Sequence, residues 1–76
     1  EAINQACRQA FDMILVAFKD KFSTSGFSEV QAAELALYVT TVVEGGILMS
    51  RTYHHVEPLR LAARHLKAYL EDLSTG

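Results

Sequence analysis

The stretch YVTTVVEGGILMS, residues 38–50, decides how this chain is read. From Leu35 to Ser50 the only charged residue is Glu44, and two glycines, Gly45 and Gly46, follow it at once. Each glycine costs a helix about 1 kcal/mol in propensity, so either the segment is not helical or something lies very close to its backbone. The flanking residues decide for a helix. Ser28 is a good N-cap with Gln31 three residues on, the reciprocal S-x-x-Q arrangement. Phe27 is placed to fold back on Ala32 or Ala33, and Glu29 and Arg51 suit the two ends of the helix dipole. The helix is predicted over residues 29–53. A helix apolar nearly all round is buried on several sides, so this one is expected to be central. Gly45 shares a face with Thr41, Leu48 and Thr52, where small residues let a crossing helix approach.

Working outward, EAINQACRQAFDMILVAFKDKF places Ile3, Ala6, Cys7, Ala10, Phe11, Ile14, Ala17, Phe18 and Phe22 at helical spacing. Most polar residues fall opposite, which makes an amphipathic helix. It ends in STSGFS, a turn-forming cluster around Gly26. Downstream, Pro58 suits the first turn of a third helix, where its missing N–H costs nothing. Leu59, Ala62, Ala63, Leu66, Leu70 and Leu73 then form one stripe, widened by Leu61, Ala68 and Tyr69. No strand-like alternation or internal repeat interrupts this reading. The expected fold is all-α, with three antiparallel helices over about residues 2–22, 29–53 and 58–73.

Composition narrows the function. Seventy-six residues make one small domain, and half of them are hydrophobic. A chain this short covers little of its own apolar surface, so a homodimer is the simplest expectation. Seven Lys and Arg against nine Asp and Glu give a net charge of −2. Residues 1–22 and 57–76 each carry three charges of either sign, and residues 23–56 have Arg51 alone against three glutamates. No segment has the basic footprint of a nucleic-acid contact. A membrane span needs about 20 apolar residues, and Glu44 interrupts the apolar run from Leu35 to Val43, so none is expected. One cysteine, Cys7, precludes an internal disulfide and fits a reducing, cytoplasmic setting. The chain opens on Glu1 rather than Met, which reads as a piece of something longer.

Several residues admit two readings. Phe11, Ile14, Leu15 and Phe18 with Tyr38, Val42 and Met49 can line an apolar ligand pocket, or serve as ordinary core. Glu44 can face such a pocket or pair with Arg51 or Arg64. Tyr38 and Thr41 can offer hydroxyls to a ligand, although Thr41 can instead bond back to the carbonyl of Leu37. His54, His55 and His65 lack metal-ligand spacing and suit an exposed helix end, so no metal or other cofactor is expected. Cys7, on the apolar face of the first helix, is expected in the core. A carboxylate-gripping enzyme would require at least two of Arg8, Arg51, Arg60 and Arg64 to converge, yet Arg60 and Arg64 lie opposite the stripe. No catalytic residue is assigned. A purely structural oligomer would lack an enclosed pocket beside Phe11, Phe18 and Tyr38.

The apolar helix ending VVEGGILMSR, a short loop, and EPLRLAARHLKAYL together resemble the C-terminal end of TetR-family transcriptional regulators. ACRQAFDMILVAFKDKF is similar to the preceding helix of the LmrA/YxaF-like branch, and the resemblance spans about residues 6–72. It implies that the last two helices form a four-helix bundle with a second subunit. The candidate interface is then Thr41, Gly45, Leu48, Thr52, Leu59, Ala62 and Leu66. It also implies a small apolar effector bound in the full-length protein, and a DNA-binding helix-turn-helix domain that this chain does not match. The segment itself would touch neither DNA nor membrane.

Overall fold

Two local devices at the first turn start and stop helices without help from elsewhere. Gly26 sits at φ +106°. Around it the amide of Gly26 donates to the carbonyl of Ser23 at 3.2 Å, and that of Phe27 to Phe22 at 3.2 Å. These are the paired closing bonds of a Schellman turn, and the left-handed position favours glycine. The apolar contact that accompanies such turns is present, with the Phe22 and Phe27 rings edge to face at 6.1 Å. One residue later the expected capping box forms. The Gln31 amide donates to Ser28 Oγ at 3.2 Å, and the Ser28 amide donates to Gln31 Oε1 at 3.2 Å.

The computed structural model describes residues 2–75, and the side chains of residues 2 and 4–73. The chain is all-α: α1 spans Ala2–Thr24, α2 Glu29–Tyr53 and α3 Glu57–Thr75. No strand occurs among the described residues. The expected helices are all present and only their ends differ. α1 runs two residues past Phe22, α3 begins one residue before Pro58, and differences of that size are ordinary at helix ends. The expected place of Ile3 on the stripe and the reading of Glu1 lie outside the described residues.

Although the sequence reads as one domain, the structure divides into two compact units, Glu1–Thr40 and Thr41–Gly76, with the boundary inside α2. In the first unit Ala32, Leu35, Ala36, Val39 and Thr40 are buried. Phe18 and Phe22 are half-buried, their rings stacked at 6.5 Å. The first half of α1 is bare: Phe11 and Ile14 are exposed, Met13 more so, and Cys7 is exposed rather than in the core. Its stripe exists, but among the described residues of the first unit nothing covers that end of it.

In the second unit Gly46 and Leu66 are buried, and Leu59 and Ala62 are half-buried. The expectation that α2 is buried on several sides needs correcting. In the first unit the helix leaves Val30, Leu37 and Tyr38 exposed, and in the second Leu48, Met49 and Tyr53. By length and composition alone α2 is also apolar enough to cross a membrane despite Glu44, a test that a bundle's core helix meets equally well.

Candidate functional site

The two glycines have different jobs. A Cβ at Gly46 would meet Leu59 Cα at 3.2 Å, Leu59 Cδ1 at 3.2 Å and Ala62 Cβ at 3.3 Å. Gly46 is therefore where the α3 backbone lies against α2, the close approach the sequence demanded. A Cβ at Gly45 would meet nothing within 4 Å, and the residue is exposed. Within the chain the close approach is made at Gly46, about 100° around the helix from the Gly45 face on which a crossing helix was expected.

The junction after Gly46 is built from polar caps that the sequence reading did not anticipate. α2 closes with His54 at φ +53° and the His55 amide donating to the Ser50 carbonyl at 3.0 Å. That is the six-residue bond of a Schellman turn, here with histidine in the left-handed position usually given to glycine. α3 then opens with each of its first donors accounted for. The Glu57 amide donates to His55 Nδ1 at 3.0 Å, Pro58 has no N–H, and the Leu59 amide donates to Ser50 Oγ at 3.1 Å. The Arg60 amide donates to the Val56 carbonyl at 3.1 Å. Pro58 thus falls at the second helical position, where its lack of a donor still costs nothing. Ser50 carries no motif because its partner lies across the loop, and a histidine two residues before a helix is no usual cap.

Beside this junction is an open concavity of about 700 Å³, lined mainly by Met49 and Tyr53 of α2 with Pro58, Leu61 and His65 of α3. It lies wholly within the second unit. Leu48 is 66% exposed, Met49 51%, Tyr53 68% and Leu61 45%.

Of the candidate interface residues, Thr41, Gly45, Leu48 and Thr52 are exposed, whereas Leu59 and Ala62 lie against the chain's own Gly46 and Leu66 is buried. Thr52 Oγ1 donates to the carbonyl of Leu48 at 2.8 Å, so its methyl group is left to make contacts. Met49, read as a pocket wall, instead lines the α2–α3 concavity, together with Tyr53 and Leu61, which the sequence reading did not select.

Of the remaining candidate wall residues, Phe11, Ile14, Leu15, Phe18 and Tyr38 belong to the first unit and Val42 to the second. Phe11, Ile14 and Tyr38 are exposed, and Leu15, Phe18 and Val42 half-buried. Only Leu15 lines the small concavity of the first unit, about 250 Å³, with Val16, Lys19, Ala33, Ala36 and Leu37. That hollow is open rather than enclosed.

Thr40 was passed over in the sequence because threonine in an apolar helix commonly bonds to its own backbone. It is 6% exposed, and its hydroxyl has no hydrogen-bond partner among the described residues. Leaving such a group unpaired costs about 1–3 kcal/mol. Thr40→Val should therefore stabilise the chain by about 1–2 kcal/mol in urea unfolding. No change, or a loss, would show that the hydroxyl is satisfied after all.

Glu44 is half-buried, and neither Arg51 nor Arg64 forms an ion pair with it among the described residues. Arg8, Arg51, Arg60 and Arg64 are all exposed, so no two converge in a buried cluster. Among the described residues no group of three His, Cys, Asp or Glu is placed to hold a metal ion.

The second unit is thus a close pair of helices with apolar side chains left exposed beside the crossing. Comparison with known families makes this specific. The C-terminal domain of LmrA/YxaF-like transcriptional regulators matches residues 1–65, and the chain belongs to this TetR-type family. It is 32% identical over 73 residues, 96% of its length, to the HTH-type transcriptional regulator LmrA of Bacillus subtilis. It is 30% identical over 66 residues, 87% of its length, to the uncharacterized HTH-type transcriptional regulator YxaF of the same organism. The chain spans 37% and 35% of those relatives. No solved structure matches it.

Proposed function

We propose that this chain is the dimerising and effector-responsive part of a cytoplasmic TetR-type transcriptional repressor. The observation that carries the reading is the uncovered apolar surface of the second unit, where Met49, Tyr53 and Leu61 stand exposed round one concavity and Leu48 and Gly45 are exposed on α2. Apolar side chains gathered on one face of a small domain mark an association surface. Gly45 lets a second backbone come near without displacing anything. The partner is a second copy, since regulators of this type generally act as homodimers. A two-fold interface presents the same patch from both sides, and an uncharged apolar patch is self-complementary. Thr41, Gly45, Leu48 and Thr52 lie on this surface, joined by Met49, Tyr53 and Leu61, and α2 and α3 of both copies form a four-helix bundle.

The effector is a small apolar molecule bound in the full-length protein. Phe11, Ile14, Leu15, Phe18 and Tyr38 offer it aromatic and aliphatic contacts, and the unpaired Thr40 hydroxyl is a polar handle. Effector binding favours one spacing of the two subunits, and helix-turn-helix heads outside this chain then fit or miss their half-sites. The segment itself needs no contact with DNA or membrane.

Sedimentation equilibrium of the 76-residue chain at micromolar concentration tests the dimer reading. The expected mass is twice that of the 8.4 kDa chain. A monomer at all micromolar concentrations would overturn it.

A further inference from the structure

We infer that the effector carries an anionic group, a carboxylate or a comparable oxyanion, which pairs with Lys19 at the hollow of the first unit. The inference rests on the effector reading above and names the chemical class of that ligand. The hollow, about 250 Å³, lies between Leu15, Val16 and Lys19 of α1 and Ala33, Ala36 and Leu37 of α2. All but Lys19 are aliphatic, so its ammonium is the one charged or hydrogen-bonding side chain in the lining. Small-molecule sites commonly have this composition, an apolar wall with a few polar groups that fix orientation.

Lys19 is half-buried and forms no ion pair among the described residues. Two carboxylates neighbour the lining in sequence, Asp20 beside Lys19 and Glu34 beside Ala33. Both are exposed, neither lines the hollow, and neither is paired with the ammonium. A second polar group is on the same side of α2. Thr40 follows Ala33, Ala36 and Leu37 by seven, four and three residues, the spacing of one helical face. Its hydroxyl is buried without a hydrogen-bond partner among the described residues. A guest with its anionic end at Lys19 and its apolar body along Leu15 and Leu37 thus has a hydrogen-bonding group one turn beyond the lining.

A lysine on apolar surface can also lay its stem along that surface and keep its head in water, with no ligand involved. The two roles differ in how a guest's charge changes its affinity. On an apolar wall alone an uncharged molecule binds better than its anionic counterpart, because the carboxylate gives up more hydration. Pairing with Lys19 reverses that order, since a partly buried ammonium makes a stronger bond to a carboxylate than to a neutral amide.

The test titrates 1-naphthoate and 1-naphthamide, which share a ring system and differ in charge, into the 76-residue chain and follows backbone amide NMR shifts. Naphthoate should bind about fivefold or more tightly than the amide, with the shifts centred on Leu15, Lys19 and Leu37. Lys19→Met keeps the apolar stem and removes the charge, so the two probes should then bind alike or the amide more tightly. Lys19→Gln, a second neutral variant, should behave in the same way. An amide that binds the wild type as well as naphthoate does, or a preference that survives both variants, overturns the inference and leaves the effector reading standing. Shifts spread evenly over exposed apolar residues such as Met13 and Val30 mark surface adhesion and overturn it too. If neither probe moves the amides of the hollow, the effector reading of this unit falls, and the inference with it.

Discussion

Gly46→Val destabilises the chain by about 2 kcal/mol, a fall in Tm of roughly 8–16 °C for a domain of this size. The Cβ alone would meet the Leu59 backbone at 3.2 Å, and valine adds two further carbons beyond it. A backbone atom cannot rotate away as a side chain does, so α3 must shift bodily. Such a shift strains the Ser50 Oγ bond to the Leu59 amide at 3.1 Å. Valine recovers a few tenths of a kcal/mol of helix propensity relative to glycine, too little to offset this. The matched control is Gly45→Ala, whose new methyl meets nothing within 4 Å. At protein concentrations low enough to prevent assembly, it should stabilise the chain by about 0.5–1 kcal/mol. Thermal melts of the two variants by circular dichroism decide the matter. Equal effects at both positions would mean that α3 does not lie where Leu59 and Ala62 place it.

If the proposed dimer forms, Leu48→Lys should separate its copies without harming the single chain. Leu48 is 66% exposed, so lysine there changes the stability of an isolated chain by no more than about 0.5 kcal/mol. In the proposed dimer the same substitution removes an apolar contact and places a charge on the two-fold face. Truncating such a residue commonly costs 2 kcal/mol or more, so the dissociation constant should rise about 30-fold or further. Sedimentation equilibrium measures the constant, and a urea melt at low concentration checks the fold. Gly45→Ala should weaken the dimer as well, by holding the second backbone away, even while it strengthens the single helix. A variant Leu48→Lys that assembles as tightly as the wild type would move the interface to another face.

The helices were legible because their signals are local. Ser28 and Gln31 are three residues apart, and the Gly26 turn is closed by bonds spanning at most five residues. The family was legible too, because VVEGGILMSR and EPLRLAARHLKAYL each sit within one helix or its opening turn. The glycine pair was half legible. Sequence showed that a backbone must come close, but adjacent helical residues point about 100° apart, and nothing local says which one is met. Ser50 was missed as a cap because the Leu59 amide it serves lies nine residues on, beyond the turn, and His55, whose Glu57 amide is only two residues away, matches no capping motif. Cys7 was misread because a helical stripe shows which face is apolar, and the structure leaves that end of the stripe uncovered.

From sequence alone come three helices, their boundaries to within two residues, and a family of regulators. The helices and their ends follow from capping, turn chemistry and apolar period, all of which act over four or five residues, and the family follows from resemblance to known regulators. Which side of each helix is covered follows only from how the segments pack. Packing set Gly46 against α3, buried the Thr40 hydroxyl without a partner among the described residues, and left Leu48, Met49 and Tyr53 facing outward. The physical reason is that burial depends on where a distant segment comes to lie, and no residue encodes that in its immediate neighbours.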